Sequence, residues 1–300
     1  MDWQKGRPSE NVEEGSGSSD GGGGGGFIPG GGRGLGLGGI LVLLVLSLIF
    51  KRDLLTPFLS SDGGSVPQQT SSGAPQATHA IDCATTTNQQ ENFVCRIVGN
   101  TEDTWTQIFS SMNQQYVRPK LHLFTGSVDT ACGQASTAVG PFYCPGDQKV
   151  YLDLAFFQEL QDRFHASGDF ARAYVIAHEV GHHVQRLTGV FDRVEQARRQ
   201  GTPMEGANGL SVRQELQADC YAGVWANHSQ QQLQWLQDGD IESALNAASQ
   251  IGDDNLQKQA QGRVVPDSFT HGTSAQRVKW FRAGFESGDL GHCDTFAGEP

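Results

Sequence analysis

Asp169-Phe-Ala-Arg-Ala-Tyr-Val-Ile-Ala-His-Glu-Val-Gly-His-His183 is the stretch on which the reading of this chain turns. Phe170, Ala173, Tyr174 and Ala177 recur at helical spacing, so it reads as an amphipathic helix entered through Ser167 or Asp169 as N-cap. On that helix His178 and His182 are one turn apart and share a face, with Cβ atoms about 5–6 Å apart. Two imidazoles so placed can reach one ion at about 2.0–2.1 Å in the tetrahedral arrangement that zinc prefers. Glu179 is turned by about 100° from His178, which frees its carboxylate to reach a water on the ion instead of binding the ion. His183, turned by about 140° from His178, falls off the ligand face.

Three helical ligands cannot come from one short motif, so a second helix is required. Residues 211–228 supply it, with Glu215 and Asp219 one turn apart and flanked by Val212, Leu216, Ala218 and Val224. An isolated acidic pair on a helix is usually a solvated face. Beside the His-Glu-x-x-His element the same pair fits a division of labour. Glu215 would bind zinc, and Asp219 would accept a hydrogen bond from the other nitrogen of a ligating histidine and fix its tautomer. His228, His271 and Asp219 itself are alternative third ligands.

These residues carry a resemblance. The His178–His182 motif followed by Glu215-Leu-Gln-Ala-Asp219 resembles the gluzincin plan, the two-helix His-His-Glu site of thermolysin-like and membrane-associated zinc peptidases. More specifically, three segments together resemble the bacterial family named putative neutral zinc metallopeptidases. They are Cys132-Gly-Gln-Ala-Ser-Thr-Ala-Val-Gly-Pro-Phe-Tyr-Cys-Pro-Gly-Asp-Gln-Lys-Val-Tyr-Leu-Asp153, the metal helix, and Thr270-His-Gly-Thr-Ser-Ala-Gln-Arg277. The likeness covers most of residues 80–296 and implies a membrane-tethered zinc peptidase domain, zincin-like and α+β.

The rest of the chain fits a mainly helical domain with a small sheet. Trp105, Ile108, Phe109, Met112 and Tyr116 predict a helix behind Thr101 as N-cap, stopped by Pro119. Leu121–Phe124 predicts a short strand, and 138–144 with 149–152 a hairpin around Pro-Gly-Asp. Beyond residue 231 the pattern is again helical, with Val278, Phe281 and Phe285 on one face.

Ahead of the domain, residues 1–34 are polar and Gly-rich, with an unbroken run Gly21–Gly26, and predict a disordered tail. Leu35–Phe50 is apolar apart from glycines and Ser47 and is bounded by Arg33 and by Lys51-Arg52. Residues 35–52 therefore read as a single transmembrane anchor in the lipid bilayer, slightly short of the usual span of about 20 apolar residues. Residues 53–80 read as a flexible linker and 81–300 as the zinc metallopeptidase domain. Arg33 against Lys51 and Arg52 slightly favours a cytoplasmic domain. The six cysteines favour an oxidising compartment, periplasmic or extracellular, because none forms a CxxC pair. Cys83 with Cys95 and Cys132 with Cys144 suit local disulfides, and Cys220 suits a buried thiol or a bond to Cys293.

A net charge of −12 and the lack of a basic stripe exclude a nucleic-acid-binding reading. The reaction these residues suit is peptide-bond hydrolysis by a metal-activated water, with Glu179 as general base. A donor to the oxyanion is also needed, and His271 is the first choice, in a turn before a helix; Tyr221 and Arg277 are alternatives. Two other classes share the sequence features: an inactive zinc-binding scaffold, for which Glu179 would have no use, and a membrane-tethered interaction domain with packing histidines.

Overall fold

Helix α1, Gln89–Ser111, begins where Asn88 accepts hydrogen bonds from the Gln90 and Glu91 backbone N–H groups. This cap lies thirteen residues before the Thr101 cap expected from the sequence; Thr101 instead lies inside the helix and donates to the Val98 carbonyl. Gly99-Asn100 looks like a break in the pattern, but Gly99 is there for space. A Cβ on it would lie 2.0 Å from the Arg7 carbonyl oxygen, so the N-terminal segment can cross α1 only at a glycine.

This is a computed structural model, which describes residues 1–15, 78–162, 168–298 and 300. The strands are β1 (Val12–Gly15), β2 (Thr78–Ala80), β3 (Lys120–Phe124), β4 (Ser127–Thr130), β5 (Gly133–Ser136), β6 (Phe142–Cys144) and β7 (Lys149–Asp153). Five of them form one mixed sheet in the order β2-β1-β3-β7-β6, and β4 pairs with β5. After the sheet come α2 (Ala155–Asp162), α3 (Asp169–Leu187), α4 (Val190–Arg199), α5 (Leu210–Leu233), α6 (Asp240–Gln250), α7 (Asp253–Gln261) and α8 (Ser274–Ser287). The core is continuous from Phe93, Ile97 and Trp105 of α1 through Phe170 and Tyr174 of α3 to Trp225 of α5 and Phe281 of α8. The expected hairpin is present as β6 and β7, and the expected mixed, mainly helical α+β class holds. Disulfides join Cys83 to Cys95, Cys132 to Cys144 and Cys220 to Cys293.

The expected disordered tail of residues 1–34 is corrected over residues 1–15, which are built into the domain. Trp3 is buried edge-on against Phe93, with ring centroids 5.6 Å apart. The Met1 amino group pairs with Asp240 at 2.9 Å, and Arg7 reaches Glu102 and Asp103, each at 2.8 Å. Ser9 Oγ and Asn11 Nδ2 both donate to Glu102 Oε1 at 2.7 Å. β1 then runs between β2 and β3, antiparallel to the first and parallel to the second. The linker expected over 53–80 likewise ends in a paired strand.

Glu13 of β1 is buried and takes hydrogen bonds from Lys149 Nζ, Lys120 Nζ and His122 Nδ1. Burial pushes its carboxyl up, but the three cationic or imidazole donors outweigh that and hold it at about 2. The stabilisation is therefore fully present above the ordinary value of 4.5 and is lost as pH falls towards 2. Glu13→Gln is expected to be less stable than the parent at neutral pH by about 1–3 kcal/mol. Denaturant melts should show that gap closing progressively below pH 4.5.

The segment 35–52 lies outside the described residues, and no helix among the described residues is long and apolar enough to cross a membrane. Gly15 and Thr78 are register partners in one sheet. A single crossing between them would put paired strands on opposite faces of a bilayer, so the once-crossing arrangement expected from the sequence is incompatible with this sheet.

Candidate metal centre

α3 starts at Asp169 behind Gly168, whose φ of 116° is open to glycine; Gly168 takes the cap position in place of the expected Asp169, which sits in the first turn, and Ser167 lies outside the described residues. The helix lies on α5 at Gly181, where a Cβ would stand 3.1 Å from the Ala218 carbonyl oxygen. The small residue inside the motif thus sets how closely the two helices approach.

That approach brings three side chains together. His178 Nε2 lies 3.2 Å from Glu215 Oε2, and His182 Nε2 lies 3.5 Å from Glu215 Oε1. One ligand atom from each of the three falls within 4.8 Å of the others, the one such group among the described residues. A tetrahedron with arms of about 2.05 Å has edges of about 3.3 Å, and each imidazole Nε2 lies at about that separation from one oxygen of Glu215. The donor set, two imidazoles and a carboxylate, also fits that ion.

Asp219 is completely buried and is not a ligand. Its Oδ1 lies 2.9 Å from His178 Nδ1, and Arg277 Nε and a terminal guanidinium nitrogen reach its two oxygens at 2.8 and 2.9 Å. The Tyr174 hydroxyl donates to Oδ1 as well. Burial pushes the Asp219 carboxyl up, but Arg277 and His178 hold it down at about 2. As a carboxylate it accepts a hydrogen bond from His178 Nδ1 and turns Nε2 towards Glu215. Arg277, a candidate oxyanion donor in the sequence, is therefore committed to Asp219. Tyr221, the other alternative donor, packs its ring against Trp105 in the core.

The remaining histidines separate cleanly. His228 Nε2 is bonded to the Gly288 carbonyl at 2.8 Å, away from the ligand group. His183 is buried, with Nδ1 at the Tyr143 hydroxyl and Nε2 at the Val117 carbonyl. His271 is outside the ligand group but close enough for its charge to act on Glu215. Its Nδ1 lies 3.2 Å from Asp253 Oδ1, and Asp253 Oδ2 accepts from the backbone N–H groups of Thr270, His271 and Gly272. Burial lowers the His271 pKa, but Asp253 and Glu215 reverse that and raise it. Asp253 escaped the sequence reading: an acid at the start of a helix reads as a helix-dipole residue, and only the fold brings it under His271. Glu179 is buried beside the ligands, and burial pushes its carboxyl up despite the opposing pull of His182 and His178.

A buried His-Glu-x-x-His helix crossed by a second helix carrying Glu and Asp defines an α+β protein with a His-His-Glu group that could hold a metal ion. The chain belongs to the family described as putative neutral zinc metallopeptidase, whose sequence model matches residues 1–296. Among curated proteins it is 48% identical over 299 residues to the uncharacterized protein YpfJ of Escherichia coli K12, covering 99% of each chain. It is 46% identical over 227 residues to the uncharacterized protein Rv2575 of Mycobacterium tuberculosis H37Rv, covering 72% of this chain and 74% of that one. No solved structure matches.

Proposed function

We propose that this chain is a zinc-dependent endopeptidase in which His178, His182 and Glu215 hold the metal and Glu179 is the general base. The observation that carries the reading is the convergence of those three donors, one ligand atom of each within 4.8 Å of the others, beside a buried carboxylate. A zinc ion held there would bring the pKa of a bound water near neutrality and polarise the scissile carbonyl. Glu179, its carboxyl raised by burial, is suited to accept the proton of that water and then deliver it to the departing amine. His271, with Nδ1 tied to Asp253, has Nε2 left to donate to the oxyanion. Strand β6 ends the sheet among the described strands, and Tyr143 on it bonds His183 of α3, so an extended peptide added along this edge would run beside the metal helix.

Three disulfides support a domain that works in an oxidising compartment, periplasmic or extracellular. The apolar run Leu35–Phe50 supports attachment to a membrane. Because sixteen residues are too few for two crossings at about 20 residues each, that attachment is to one face of the bilayer.

Elemental analysis of the purified full-length chain tests the metal assignment. The expected result is one zinc per chain, lost in His178→Ala and in Glu215→Ala while the fold persists by circular dichroism. A folded parent protein that takes up no zinc even after reconstitution would sink the peptidase reading.

A further inference from the structure

Each ligating imidazole must keep the nitrogen that faces the metal free of hydrogen. His178 has an anion, Asp219, to hold its proton away. His182 has none; its Nδ1 lies 2.9 Å from Gln185 Oε1, one turn along α3. An amide side chain can present either its oxygen or its nitrogen, so the orientation of Gln185 has to be decided by something else. Its nitrogen is 2.7 Å from the backbone carbonyl of Gln214, which can only accept, and 3.1 Å from Gln217 Oε1. Gln217 is oriented by the same logic, because its nitrogen is 3.0 Å from the Cys293 carbonyl. That carbonyl belongs to a residue tied to α5 by the Cys220–Cys293 disulfide. Gln185 and Gln217 are both buried, so water does not compete for these bonds.

Two backbone carbonyls therefore impose one direction on the whole chain of hydrogen bonds. Gln217 donates to Cys293, Gln185 donates to Gln214 and Gln217, and Gln185 Oε1 is left as acceptor only. His182 must then carry its proton on Nδ1. Glu215 Oε1, 3.5 Å from His182 Nε2, pulls in the opposite direction: with no acceptor behind the ring, the proton would sit on Nε2 against Glu215 and block the ligand nitrogen.

We propose that Gln185, oriented by Gln217, is the positioning residue that fixes the metal-binding tautomer of His182. The inference rests on the proposed His-His-Glu centre. Loss of such an outer partner typically weakens metal binding about 10- to 100-fold. Gln185→Met keeps the volume and removes the acceptor. Zinc competition with a chromophoric chelator on the full-length chain should show that loss, with a smaller one for Gln217→Met, which leaves Gln185 its bond to Gln214.

The tautomer is read directly, without any variant, by long-range ¹H–¹⁵N NMR of histidine-labelled protein stripped of metal. A proton on His182 Nδ1 is expected. A neutral His182 ring protonated on Nε2 in place of Nδ1 overturns the proposal, as does parental zinc affinity in a folded Gln185→Met. A parent that binds no zinc at all is a different failure, that of the metal centre itself.

Discussion

Glu179→Gln is expected to keep one zinc per chain and to lose peptide hydrolysis by about 10²- to 10⁴-fold, the range general acid–base groups contribute. The substitution is nearly isosteric, and Glu179 is not one of the three residues whose ligand atoms converge. It removes only the group able to take a proton. Since the parent carboxyl is raised by burial, an amide there has little desolvation cost, and the fold should be at least as stable. The measurement pairs zinc stoichiometry with cleavage of a quenched-fluorescent peptide library by the full-length chain. Retained zinc with retained hydrolysis would remove Glu179 from the mechanism. Retained zinc with no hydrolysis in parent or variant would point to a metal-binding scaffold.

A chain that starts at residue 78 is expected to fail as a stable monomer, although it contains every proposed ligand. It lacks Trp3 and Val12, whose burial contributes about 1.5–3 kcal/mol each. It leaves buried Glu102 without Arg7, Ser9 and Asn11, a loss of about 1–3 kcal/mol or more for a charged acceptor. The sum rivals the total stability of an ordinary domain, about 5–15 kcal/mol. Removing β1 also bares the edge of β3 and sets β2 adrift, an invitation to aggregation. Adding a synthetic peptide of residues 1–15 should restore part of the melting transition. Full stability without it would show that the N-terminal segment is dispensable. The same strand governs topology: tags inserted in the Gly21–Gly26 run and after Pro300 should be digested together, or protected together, in sealed vesicles. Opposite protection would contradict the β1–β2 pairing.

His178, Glu179, His182, Glu215 and Asp219 were legible in the sequence because helical geometry is local. Residues four apart on a helix share a face whatever the helix packs on, so the spacing alone places two imidazoles together and an acid one turn from another. The hairpin of β6 and β7 was legible for a similar reason, a turn between two short apolar runs. The cysteine spacings likewise pointed to the Cys83–Cys95 and Cys132–Cys144 bonds, while the choice of Cys220 between a thiol and a bond to Cys293 was left to the fold.

What escaped depends on partners far along the chain. Val12-Glu-Glu-Gly15 has no strand signature of its own and becomes a strand because Lys120, His122 and Lys149 surround Glu13. Nothing local marks Gly99 as the crossing point for Arg7. Arg277 looked free to serve substrate and is consumed by Asp219, while Asp253 became the partner of His271 only when α7 met the loop before α8.

The sequence by itself determined the pattern of candidate ligands, the carboxylate beside them and the helical character of the domain, because these follow from a 3.6-residue period. Only the tertiary structure decided that the first fifteen residues belong to the sheet and which polar group stands behind each histidine. Apart from His182 and Gln185, one turn apart on α3, those pairings join residues tens to more than a hundred positions apart, and a buried charge or amide takes whichever partner the packed helices and strands bring within hydrogen-bond reach.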